Sequence, residues 1–216
     1  QRTRDVVNQL APQDGLYSVL QRGDATSISV LASIREMLFA KTQSDELVAR
    51  LAAPATRVIT LTVTEKGYRH DPASGRLRVD DAEVKADAEG RSPQTVIGQL
   101  VRGLQKRQHA GVGPVTVVCC DNLPSNGRTL ARLVADFCDL LPAAEAASTK
   151  AWIDGSVRFP CTMVDRIVPA TTDADRAEAA KLLHGDDFGV VVVEPFMQWV
   201  IEDDFAAARP DWEAAG

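Results

Sequence analysis

The sequence predicts an α/β domain built on a mostly parallel sheet, with β-hairpins inserted into it. Three observations point there. Three short apolar runs are dense in β-branched residues: Val58-Ile59-Thr60-Leu61-Thr62-Val63, Val115-Thr116-Val117-Val118-Cys119-Cys120 and Val190-Val191-Val192-Val193. Continuous runs of this kind are expected of strands covered on both faces. Between them lie stretches with apolar residues at helical spacing, and strand–helix–strand–helix alternation marks a parallel α/β sheet with helices on its faces. The 216 residues, 45% hydrophobic and 25% charged, have ordinary globular composition and enough apolar material for a core.

Taken in order, the chain opens with a β-rich insertion. Residues 16–20 and 27–33 read as its strands, around the turn Arg22-Gly23-Asp24. The first buried strand follows at 58–63. A second insertion reads as a hairpin, with arms at 68–70 and 76–79 and a turn at Asp71-Pro72-Ala73-Ser74-Gly75. The polar stretch 81–92 is the nearest thing to a linker, and no domain boundary stands out. Ser92-Pro93 predicts an N-cap and a first-turn proline for a helix carrying Val96, Ile97, Leu100, Val101 and Leu104. The strand at 115–120 leads to a helix with Leu130, Leu133, Val134, Phe137, Cys138 and Leu141 on one stripe. A third helix starts at Thr172, with Asp175 three residues on, and leads to the strand at 190–193.

Charge and composition remove several classes of function. The net charge is −6 and the isoelectric point about 5.1, whereas a duplex-binding domain carries a basic face, so nucleic acid is not an expected partner. No run approaches the ~18 apolar residues of a spanning helix, so no membrane partner is expected. Gln1-Arg2-Thr3-Arg4-Asp5 has no apolar core, so an export signal is not expected. Cys119, Cys120, Cys138 and Cys161 make no CxxC pair and stand away from His70, His109 and His184, so no metal site is expected. Four cysteines with no paired spacing, the adjacent Cys119-Cys120 reading as small buried hydrophobes, fit a reducing, cytoplasmic compartment.

Ligands of open α/β sheets bind beyond the carboxyl ends of the strands. After the first strand comes Thr64-Glu65-Lys66-Gly67-Tyr68, and after the second Asp121-Asn122-Leu123-Pro124-Ser125-Asn126-Gly127. An amide at Asn122 or Asn126 can donate to a developing alkoxide. Asn126 before Gly127 also reads as an N-cap, and on spacing alone that reading is the stronger. Glu65 and Lys66 read as a solvated pair or as contacts to a ribose or phosphate. Asp165-Arg166, set among apolar residues, reads as a buried ion pair that pins a loop. Cys161 has no neighbouring histidine to activate it. Trp199 with Glu202, Asp203 and Asp204 reads as a helix or loop with one anchored aromatic. GxGxxG, GxxxxGK[ST] and GxSxG are all absent from the sequence. The residues by themselves therefore give an α/β ligand-binding domain without a diagnosable reaction.

Five segments in order resemble the mannitol dehydrogenase family, the polyol-specific long-chain dehydrogenases and reductases. They are Ala11-Pro12-Gln13-Asp14-Gly15-Leu16-Tyr17; Leu61-Thr62-Val63 running into Thr64-Glu65-Lys66-Gly67-Tyr68; Cys120 with the Asp121–Gly127 turn; the FP-x-[ST]-MVDRI-x-P segment at 159–169; and Glu194-Pro195-Phe196-Met197-Gln198-Trp199-Val200-Ile201-Glu202-Asp203. The resemblance implies an incomplete Rossmann-type domain over residues 1–216, lacking its first βα unit. It implies NAD as cofactor, with NADP left open, and hydride transfer to or from a sugar acid or polyol. Cys161-Thr162 and Arg209-Pro210-Asp211-Trp212 resemble the fructuronate reductase branch, which acts on D-fructuronate and D-mannonate. The mannitol 2-dehydrogenase branch, acting on D-fructose and D-mannitol, and a non-catalytic domain fragment are the alternatives. The family's Gly-rich turn is expected before Gln1, and its catalytic Lys, with later Asn and His, after Gly216, so these residues alone are expected to be inactive. The resemblance places the oxyanion-side amide at Asn126, with Asn122 as the neighbouring candidate. It sets Val164 and Asp165 against the nicotinamide side and Glu65 and Lys66 at the border of the cofactor cleft.

Overall fold

The structure, a computed structural model, describes residues 5–90 and 92–215. Gln1 to Arg4, read above for an export signal, and Arg91 of the polar stretch lie outside the described residues. The elements in chain order are α1 (Asp5–Leu10), β1 (Tyr17–Arg22), β2 (Thr26–Leu31), α2 (Ser44–Leu51), β3 (Val58–Leu61), α3 (Ala82–Ala88), α4 (Val96–His109), β4 (Val115–Cys119), α5 (Asn126–Cys138), α6 (Ala143–Ser156), β5 (Val157–Arg158), β6 (Thr162–Asp165), α7 (Asp173–Leu183), β7 (Val191–Val193), β8 (Gln198–Ile201) and α8 (Trp212–Ala215). Short 3-10 turns sit at Ala11–Gln13 and Glu65–Tyr68. None of the described helices is long and apolar enough to cross a membrane. The predicted α/β class with parallel strands holds. The chain divides into two compact units, one of residues 5–39 and 164–199, the other of 40–163 and 200–215. The sequence carries no mark of this division, because each unit is closed by a segment distant in sequence.

The first unit holds a three-stranded sheet in the order β2-β1-β7. β1 and β2 form the expected hairpin, running from Tyr17 opposite Leu31 to Arg22 opposite Thr26. β7 lies parallel to β1, with Leu20 opposite Val192. The sequence reading set the 190–193 run in one sheet with the other two apolar strands; it pairs with the hairpin instead. The buried set is Leu20, Ala179, Val190 and Val192. α7 begins with the capping box read from Thr172 and Asp175. Arg22 ties β1 to α7 through Asp175 at 2.5 Å and Glu178 at 2.7 Å.

Asp187 fastens the loop before β7 to β1. Its carboxylate accepts from Ser18 N and Gln13 Nε2, both at 2.6 Å, and from Gly189 N at 2.7 Å. Burial by itself would raise this carboxyl, but the bonds from Ser18, Gln13 and Gly189 outweigh it and hold it below the ordinary range. A carboxyl depressed by folding contributes stability above its unfolded value of about 3.9, and the contribution is lost as pH falls through the lower folded value. Asp187→Asn is therefore expected to lower stability at neutral pH and to flatten the acid limb of an unfolding titration below about pH 4. An acid limb identical to wild type would show that other carboxylates set it.

The second unit is built on β3-β4-β5, all parallel. β4 is buried along its whole length, as its unbroken apolar sequence predicts. Leu104, Val117, Leu133 and Phe137, all fully buried, lie in the core with α4 and α5 around the sheet. α4 starts at Val96, capped by Thr95 rather than Ser92. The reason is Asp87, which accepts from Gln94 N and Thr95 N at 2.8 Å each and so holds the segment extended past Pro93. Gly98 admits that carboxylate: a Cβ there would lie 2.2 Å from Asp87 Oδ2. Asp87 belongs to α3, which occupies most of the stretch read as a linker, with Asp81 as its side-chain N-cap. The predicted second hairpin reduces to one bridge, His70 with Leu77. Tyr68, expected in its first arm, is drawn into the 3-10 turn with its hydroxyl on Asp121 at 2.6 Å.

The segment at 198–201, read as helix or loop, is strand β8, which pairs with β6 in a two-stranded sheet. The Asp165–Arg166 ion pair does not form. Asp165 is exposed, and Arg166 donates to the carbonyl of Glu194 at 3.1 and 3.2 Å. Ile167 N donates to the Glu194 carboxylate at 2.7 Å. The loop is pinned as expected, with Glu194 in place of Asp165.

Candidate active site

The carboxyl ends of β3 and β4 are held together by one carboxylate. Asp121 accepts from Val63 N at 2.9 Å, Thr64 N at 3.1 Å and Tyr68 OH at 2.6 Å. These bonds end β3 at Leu61, two residues short of the apolar run, because the next amides turn to Asp121 instead of the sheet. They also hold Thr64 at φ 73°, a conformation a β-branched residue rarely adopts. The tip that follows presents Glu65 and Lys66 to solvent. Glu65 Oε1 stands 3.8 Å from His70 Nε2.

Burial pushes the Tyr68 hydroxyl far above its ordinary pKa, and its bonds to Asp121 and Cys119 add to the rise. The Cys119 thiol is likewise raised by burial, and that of Cys120 is pushed to about 11. These groups stay protonated at neutral pH and serve as packing and hydrogen-bonding groups, not as bases or nucleophiles.

Asn126 is the centre of the β4–α5 turn and is 2% exposed. Its amide nitrogen lies 2.9 Å from Cys119 O, 3.0 Å from Thr162 O and 3.1 Å from Asp121 O. Its oxygen accepts from Gly127 N at 2.8 Å and Thr162 N at 2.9 Å. Thr162 also donates its hydroxyl to Cys119 O at 2.6 Å. Asn126 thereby fastens the end of β4 to the start of β6. It does not cap α5: Ser125 holds that position, at φ 46° and without a side-chain bond. Asn122, on the same turn, is exposed.

Two residues further along α5, Arg128 reaches the segment that opens β6. It donates to Cys161 Sγ and to Glu202 Oε1, both at 2.9 Å. Glu202 Oε2 accepts from Cys161 N at 2.9 Å. That backbone bond, with the Arg128 charge, holds the Glu202 carboxyl below its ordinary range.

Of the residues singled out from the sequence, the structure brings Asn122, Asn126, Glu65 and Lys66 to the neighbouring ends of β3 and β4. Val164 and Asp165 are exposed on β6 and belong to the other unit. The second substrate-branch motif is local: Arg209 pairs with Glu213 at 2.6 Å and lies over the Trp212 ring at 5.7 Å. The roles of Asp121, Thr162, Arg128 and Glu202 in tying these segments together escaped the sequence reading. For Asp121 a signal existed, since an acid directly after a fully apolar strand sits where loop amides need an acceptor. For the other three there was none, because their partners lie 33 to 74 residues away.

A family model described as the mannitol dehydrogenase Rossmann domain matches residues 2–214. A mannitol 2-dehydrogenase of Pyrenophora tritici-repentis is 40% identical over 209 residues, covering 96% of this chain and 36% of the relative. The D-mannonate oxidoreductase of Escherichia coli is 39% identical, covering 99% of this chain and 44% of the relative. Among solved structures, the Pseudomonas fluorescens mannitol 2-dehydrogenase, in ternary complex with NAD and D-mannitol, superposes with a TM-score of 0.91 at 37% identity. It covers 100% of this chain and 44% of that one. The chain thus spans less than half the length of the relatives it matches.

Proposed function

The chain belongs to the mannitol dehydrogenase family, and from that premise we propose that its protein is an NAD-dependent oxidoreductase. It moves a hydride between NAD and a sugar acid or polyol, with D-fructuronate and D-mannonate as the preferred pair and D-fructose with D-mannitol as the second. The observation that carries the reading is where the family's motif residues fold. The Thr64–Tyr68 and Asp121–Gly127 segments meet at the carboxyl ends of two parallel strands, the place where such sheets bind ligands.

The residues present fit a dinucleotide there. Asp121 is turned inward onto Val63, Thr64 and Tyr68, so it does not oppose a pyrophosphate, and Lys66 stands exposed at the tip of β3. When bound, NAD supplies the hydride acceptor. Glu65 and Lys66 would border it at the tip of β3; Val164 and Asp165 are the residues that the family resemblance implies for its nicotinamide side, and both are exposed on β6. Asn122 offers an exposed amide to the substrate oxygen, where a neutral donor stabilises developing alkoxide charge. Asn126, whose N–H groups face backbone carbonyls, is the positioning residue that fixes the turn. A Lys from the remainder of the protein takes the alcohol proton, as the family resemblance implies, and these 216 residues alone are expected to give no turnover. The four unpaired cysteines among the described residues support a reducing, cytoplasmic location.

The test is NADH consumption by the whole protein with D-fructuronate and with D-fructose. Reduction of D-fructuronate with the higher kcat/KM is expected. No reduction of either substrate with NADH or NADPH would overturn the reading.

A further inference from the structure

We propose that Arg128 recognises the carboxylate of a sugar-acid substrate and so sets the preference for sugar acids over neutral polyols. The inference rests on the oxidoreductase reading above and adds a residue to it. Arg128 projects from the first turn of α5, two residues after Asn126, beside the turn that carries Asn122. Its side chain is 65% exposed, yet its guanidinium is held on one side by Cys161 Sγ and Glu202 Oε1.

The hold is single-pronged on each atom. Glu202 reaches Nη2 through Oε1 only, because its other oxygen is taken by Cys161 N at 2.9 Å. A guanidinium has five N–H donors. Two are used here, and among the described residues the others, including Nε–H, have no protein acceptor. A charged group fixed in place with a free donor edge is pre-organised for a second carboxylate, which it can grip bidentately. A polyol hydroxyl in that position offers neither the charge nor the paired oxygens.

The whole protein is assayed with D-fructuronate and D-fructose as wild type, Arg128→Gln and Arg128→Lys. Arg128→Gln is expected to raise KM for D-fructuronate about tenfold to a hundredfold, as loss of a charge-assisted bond does, and to change KM for D-fructose less than about twofold. Arg128→Lys, which keeps the charge but not the fork, is expected to restore part of the loss. Thermal melts of the three proteins are expected to coincide within a few degrees, because the side chain is exposed. An unchanged KM for D-fructuronate, or equal shifts for both substrates, would overturn the assignment of Arg128. Wild-type activity with D-fructose alone would overturn it too, while leaving the oxidoreductase reading in place. Activity with neither substrate would overturn both.

Discussion

Gly127→Ala is expected to destabilise the protein by about 3 kcal/mol or more, at the top of the range for overpacked sites. Two effects oppose each other. Gly127 is the second residue of α5, where alanine is the better helix former by about 1 kcal/mol. Against that, a Cβ at this position would lie 2.3 Å from Phe159 O and 2.5 Å from Pro160 O. Both are backbone atoms, so no rotamer change relieves the contact, and the 159–160 backbone has to move. That segment leads directly into Cys161 and Thr162, whose amides bond to Glu202 and Asn126 at 2.9 Å each. Relief of the clash therefore breaks the tie between β4 and β6, and the clash outweighs the gain in propensity. For a chain of this size the melting temperature is expected to fall by roughly 6–12 °C. A melt within 2 °C of wild type would mean that the 159–160 segment yields freely.

Asn126→Ala is expected to cost about 2–4 kcal/mol, through buried polar groups left without partners. The lost amide serves the carbonyls of Cys119, Asp121 and Thr162 and the amides of Gly127 and Thr162. At 2% exposure, little water can replace it. Asn126→Asp is expected to be at least as harmful, since a carboxylate accepts but cannot donate to three carbonyls. The diagnostic measurement pairs thermal melts with kcat at a temperature where the variant is fully folded. A positioning role predicts a large shift in melting temperature for either substitution. An unchanged melt with a hundredfold lower kcat would instead make Asn126 a direct donor to the reacting oxygen.

Much of the scaffold was legible because it depends on local rules. The β-branched runs at 58–63, 115–120 and 190–193 became β3, β4 and β7, and the Thr172–Asp175 capping box opened α7. The motif residues of the strand ends were legible too, since irregular polar tips after apolar strands are where α/β sheets bind ligands. What failed were inferences that needed the partner of a side chain. Ser92-Pro93 is a sound helix start, yet Asp87 moved the start to Thr95–Val96. Asp165 and Arg166 are adjacent and opposite in charge, yet the Arg166 side chain went to the Glu194 carbonyl. Tyr68 fits a strand, yet its hydroxyl found Asp121.

The sequence by itself determined the fold class, the order of the main elements and the family. Those follow from periodicity, capping and motif order, which depend on residues close along the chain. Only the tertiary structure decided that the 190–193 strand joins the early hairpin, that Asp121 and Asn126 face inward, and that Arg128 is fixed beside Cys161 with donors to spare. Strand pairing and the satisfaction of polar groups depend on contacts across as many as 175 residues of sequence. No local preference encodes those contacts, and the buried amides and carboxylates take the acceptors and donors that folding brings to them.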